Sequence, residues 1–121
     1  MHSWRIRLFS AVLTVLFFSC GEKERVPDGI LNKDQMVGVL SELYVTEQKI
    51  STLGLKRDSL NQIFGVIKDE IFKKSGVTDS AFRRSLNYYM DRPQTLEVIY
   101  TTLIDSLNLR EQRLISGGEI K

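Results

Sequence analysis

The chain has 121 residues, 17 of them Lys or Arg and 15 Asp or Glu, for a formal charge of +2. This length bounds it to one domain with a modest core. The charge is too small to give an electrostatic reason for a nucleic-acid partner. The single cysteine excludes an intramolecular disulfide.

The first element is a leader. Arg5 and Arg7 precede an apolar run, Leu8 to Phe18, interrupted only by Ser10 and Thr14. The run is shorter than the roughly 20 residues that span a hydrocarbon core. A basic start, a short apolar segment and a small residue before the cut mark a secretory signal peptide. The small residue is Ser19, and Cys20 follows it. This end resembles the bacterial lipobox, whose cysteine is acylated and becomes the new N-terminus. The usual pattern has Leu three residues before the cysteine, where this chain has Phe17, with Leu16 one place earlier. The expected role of Cys20 is therefore lipidation, giving a palmitate-type anchor. The alternatives are an intermolecular disulfide, a catalytic thiol activated by a neighbouring base or positive charge, or an inert residue. A single acyl chain holds a protein only marginally, whereas several anchor it stably.

Cleavage after Ser19 changes the composition. Of the 121 residues 19 are lost, and Arg5 and Arg7 are the only charged ones among them. The mature chain of 102 residues then balances 15 basic against 15 acidic side chains. The only histidine, His2, leaves with the leader. Ser-His-Asp hydrolysis, imidazole acid–base work and ordinary zinc sites are thereby excluded from the mature chain. No metal or cofactor is expected.

Residues 21–31, GEKERVPDGIL, are charged and broken by Pro27 and Gly29, so 20–31 reads as a lipidated N-terminus and tether. From Asn32 the pattern is helical, with no sustained alternation of period two. Asn32 is placed to cap a helix with Gln35 completing a capping box, and Leu31 to staple against Met36. Met36, Leu40, Leu43 and Ile50 repeat at helical spacing until Gly54 stops them. A second helix opens near Arg57 or Asp58 with Leu60, Ile63, Phe64, Ile67 and Ile71 on one face, ending at Gly76. Thr78 or Asp79 caps a shorter third helix bearing Phe82, Leu86 and Tyr89. Pro93 fits the first turn of a fourth, lined by Leu96, Ile99, Tyr100, Leu103 and Leu107. The expected fold is all-α, a small bundle of about four helices over 32–116, with 117–121 as a flexible tail.

Three stretches carry a resemblance: PDGIL, then MVGVLSELYVTEQ, then IFKKSGVTDSAFRRSLNYYMDRPQTLEVIY. They resemble a family of short lipoproteins catalogued as domain of unknown function 4296 and typical of Bacteroidetes-type bacteria. Its pattern has a Pro-Gly opening and an apolar first helix with a late Glu. A Phe-x-x-Ser-x-x-Tyr-Tyr block, a Pro and a Leu-x-x-Ile-Tyr helix follow. Pro27, Glu47, Phe82, Ser85, Tyr88, Tyr89, Pro93, Leu96, Ile99 and Tyr100 stand at those places. The resemblance implies an envelope lipoprotein and brings no assigned chemistry with it.

Two groups are candidates for function. Glu47 falls four residues after Leu43, on or beside the apolar stripe. A carboxylate partly buried there has its pKa raised, as in catalytic acids, or pairs with an Arg or Tyr of another helix. On the third helix Arg84, Asn87 and Tyr88 lie opposite Phe82, Leu86 and Tyr89. An exposed Arg and Tyr one turn apart suit a protein interface, though a solvated face is the plainer reading. Residues 78–107 have the outline of a helix-turn-helix, but the neutral mature charge and the leader speak against DNA.

These readings converge on a non-enzymatic, membrane-anchored envelope lipoprotein acting as a protein-interaction or accessory subunit. The alternatives are a periplasmic module for peptidoglycan or a small ligand, and an enzyme built on carboxylates and tyrosines. Gly21 is not the Asp that retains lipoproteins at the inner membrane in some bacteria, so by analogy the outer membrane is favoured. Glu22 and Glu24 faintly resemble an acidic surface-export signal that Lys23 and Arg25 dilute, leaving the periplasmic or surface face open.

Overall fold

A computed structural model describes residues 25–118; residues 1–24, which include the expected leader and Cys20, and residues 119–121 lie outside it. The described residues form four helices and no strand: α1 (Lys33–Ser51), α2 (Arg57–Lys74), α3 (Asp79–Met90) and α4 (Pro93–Gly118). None is long and apolar enough to cross a membrane.

Local chemistry sets the boundaries. Asn32 Oδ1 accepts from the Gln35 amide at 2.8 Å, and Gln35 Oε1 accepts from the Asn32 amide at 2.9 Å. This capping box satisfies two groups at the helix start that would otherwise lack partners. Leu31 and Met36, on either side of the cap, are both buried in the core. Gly54 and Gly76 take φ of +64° in the turns that follow α1 and α2, a conformation in which a Cβ is disfavoured. Thr78 Oγ1 accepts from the Ala81 amide at 3.1 Å to cap α3. Pro93 opens α4, where its missing N–H costs nothing. The start of α2 differs, since Lys56 occupies the cap position and makes no side-chain cap bond.

Packing follows from α1 sitting between two neighbours. It packs on α2 and on α4, while α3 packs on α4. Met36 is therefore joined in the core by Val37 and Val39, which stand on either side of it around the helix. Phe72 at the end of α2 meets Phe82 of α3 with ring centroids 5.2 Å apart. Lys68 reaches Asp79 at 3.3 Å, and Arg83 pairs with the same carboxylate at 2.7 Å. Val77, Tyr89, Ile99 and Leu103 complete the core.

Two expectations change here. The segment before α1 is packed from Val26 onward rather than serving as tether up to residue 31. Val26 and Ile30 lie against the core, and a turn closes with the Ile30 amide donating to the Pro27 carbonyl at 3.1 Å. Gly29 makes that turn possible at φ +78°. In α4, Tyr100 is 46% exposed instead of lining the core, and the helix continues to Gly118 past the expected end at 116. At 1.5 Å per residue, α4 extends about 39 Å and α1 about 28 Å. The described side chains after Leu107 are exposed.

Candidate functional site

The most developed polar arrangement is a clamp on one backbone unit. Ser85, wholly buried, accepts from the Leu31 amide at 2.8 Å and donates to the Ala81 carbonyl at 2.6 Å. One turn later Tyr89, 1% exposed, donates its hydroxyl to the Leu31 carbonyl at 2.8 Å. Both polar groups of Leu31 are thus satisfied inside the core by two side chains of α3. Left unpaired, each would cost roughly 1–3 kcal/mol. The clamp straps residues 26–31 onto the bundle and fixes where the chain leaves it. Periodicity alone centred the α3 stripe on Phe82 and Leu86, which are half-buried, and missed Ser85.

The strap also changes the face assigned to docking. Arg84 and Asn87 are exposed as expected. The Arg84 guanidinium lies over the turn, its Nη2 3.4 Å from where a Cβ on Gly29 would stand. Tyr88 does not share that exposure. It is half-buried against the core, with the Tyr89 ring edge-on at 5.2 Å. The Arg92 guanidinium sits over the Tyr88 ring, 3.7 Å from its centroid, and donates to the Tyr88 carbonyl at 2.8 Å. The physical cause is that the Arg92 guanidinium stacks on the ring and the core packs against it, so the covered arc of α3 is wider than one stripe. Arg84 and Asn87 remain as the open part of the face, and Tyr88 belongs to the packing beneath.

Glu47 also departs from expectation. It is exposed rather than partly buried. The core cluster gathers at the other end of α1, around Met36, Val37 and Val39, and after Val39 only Ile50 of this helix is buried. Glu47 instead lines a half-open cavity of about 200 Å³ between the end of α1 and the start of α2, shared with Ile50, Arg57, Leu60, Asn61 and Phe64. Among the described residues no group of three or more His, Cys, Asp or Glu side chains could hold a metal ion. Cys20 lies outside the described residues.

Residues 27–113 match the family described as a domain of unknown function, DUF4296. The chain belongs to the DUF4296 family. The match begins at Pro27, the first residue of the strap turn, and so takes in the clamped segment together with the bundle. Ser85 and Tyr89, which stand in the DUF4296-like block Phe-x-x-Ser-x-x-Tyr-Tyr, have a concrete task in this fold: they bind the strap. No curated protein and no solved structure matches the chain.

Proposed function

We propose that this DUF4296 protein is an envelope lipoprotein anchored through lipid on Cys20, with its bundle serving as a non-enzymatic docking or accessory subunit. The observation that carries this reading is the clamp on Leu31. Because the strap is held down from Val26, only five residues, six residue steps, separate the packed body from Cys20. At about 3.3–3.6 Å per extended residue the bundle stays within roughly 20 Å of the acylated end. A short leash on a fixed exit point suits a protein that presents one face to a neighbour at a membrane surface. The outer membrane is the favoured location on the strength of Gly21. The open face of α3, with Arg84 and Asn87, is the proposed contact for a protein partner, since arginine is enriched at interfaces.

Changing Cys20 to Ala is expected to abolish lipid labelling and to move the protein from the membrane pellet to the soluble fraction. An unlabelled Cys20→Ala protein that still sediments with membranes would defeat the anchor. The docking part is tested separately, by crosslinking in intact cells. The double variant Arg84→Glu with Asn87→Ala is expected to lose a crosslinked partner while its melting stays within about 0.5 kcal/mol of the parent. An unchanged crosslinking profile would return this face to ordinary solvated surface.

A further inference from the structure

The cavity at the junction of α1 and α2 combines two charged side chains, Glu47 and Arg57, with an apolar floor. On α1, Glu47 and Ile50 are three residues apart, and on α2, Arg57, Leu60, Asn61 and Phe64 recur at spacings of three, one and three. Each set therefore presents one side of its helix to the same space. Ile50 is buried, and Leu60 and Phe64 are half-buried, so the floor is apolar and already formed. Glu47 and Arg57 make no ion pair with each other or with another described residue. Both charges line the cavity without an ion pair among the described residues, so each is open to a group of a ligand. Asp58, in the same turn as Arg57, does not line the cavity and does not neutralise it from within.

We propose that this cavity is a binding site for a small zwitterion, an α-amino acid with an apolar side chain or the equivalent end group of a short peptide. Glu47 receives the ammonium group, Arg57 receives the carboxylate with Asn61 beside it, and the side chain rests on Ile50, Leu60 and Phe64. Volume limits the ligand. At about 200 Å³ the space falls below the roughly 300–1,000 Å³ of sites for drug-sized molecules and suits a single residue. Arg57 can meet a carboxylate with two parallel N–H donors, which adds geometric selection to charge. The apolar floor supplies the remaining attraction without demanding a particular side chain. This site is independent of the anchor and of the α3 face.

The test uses the full chain purified in detergent and titrated with three probes: leucine, N-acetyl-leucine, which lacks the ammonium, and leucine amide, which lacks the carboxylate. Amide resonances of Ile50 and Phe64 report occupancy. Leucine is expected to shift both. Each single-charge probe is expected to bind at least about tenfold more weakly, the scale of one lost charge-assisted hydrogen bond. Glu47→Gln should make leucine and N-acetyl-leucine bind alike while leucine amide stays weaker. Arg57→Gln should give the converse pattern. Both residues are exposed, so neither variant threatens the fold. The proposal is overturned if leucine leaves both resonances unmoved, if all three probes bind equally, or if the two variants keep the parent's selectivity.

Discussion

Replacing Tyr89 by alanine is expected to cost about 3–5 kcal/mol of folding stability, the range for removing a large buried aromatic side chain. Tyr89 is 1% exposed and ties α3 to the strap through its hydroxyl, so the loss combines a cavity with a broken long-range bond. For a domain of this size, whose whole stability lies near 5–15 kcal/mol, urea unfolding should show a much lower midpoint. Tyr89→Phe separates the two contributions. It keeps the ring and leaves the Leu31 carbonyl without its partner, an expected loss of about 1–3 kcal/mol. Ser85→Ala removes the partner of the Leu31 amide on the same residue. Because both bonds hold one peptide segment, the two losses should be non-additive in a double-mutant cycle. A Tyr89→Phe protein as stable as the parent would show that the Tyr89 hydroxyl adds nothing, leaving the Ser85 bond and the packing of Val26 and Ile30 to hold the strap.

Much of this architecture is legible in short windows of sequence, and the reason is the range of the forces involved. The capping box at Asn32 and Gln35, the Thr78 cap, Pro93 and the glycines at 54 and 76 act over four residues or fewer. Their chemistry is complete within the window that reveals it. Misplaced residues depend on partners far along the chain. Ser85 reads as a neutral helix position until Leu31, 54 residues earlier, arrives to use its hydroxyl. Tyr88 reads as exposed until the core it packs against is assembled. Val37 and Val39 fall off a single stripe because α1 has neighbours on two sides, and a central helix buries a wider arc than an outer one. Glu47 is the converse case. Periodicity puts it beside the core, but the core cluster lies at the other end of α1, so the carboxylate faces an open cavity instead.

The sharpest check on this packing sets adjacent residues of α4 against each other. Ile99 and Tyr100 read alike in sequence, both apolar and both within the same apparent stripe. A helix turns by about 100° per residue, and here that turn separates a core position from a surface one. Ile99 is 0% exposed and belongs to the cluster that includes Met36, Phe72 and Tyr89, whereas Tyr100 is 46% exposed. Ile99→Ala is expected to cost about 2–5 kcal/mol, because the surrounding core cannot fully collapse into the space left behind. Tyr100→Ala is expected to cost no more than about 0.5–1 kcal/mol, since nearly half of the residue still meets water in the folded chain. The two variants are compared by urea unfolding with circular dichroism at the helical signal. Comparable losses at the two positions would mean that α4 is rotated from the orientation described, bringing Tyr100 into the core beside Ile99. A large loss at Ile99 alone fixes the helix's facing and, with it, the direction in which the exposed C-terminal turns of α4 leave the bundle.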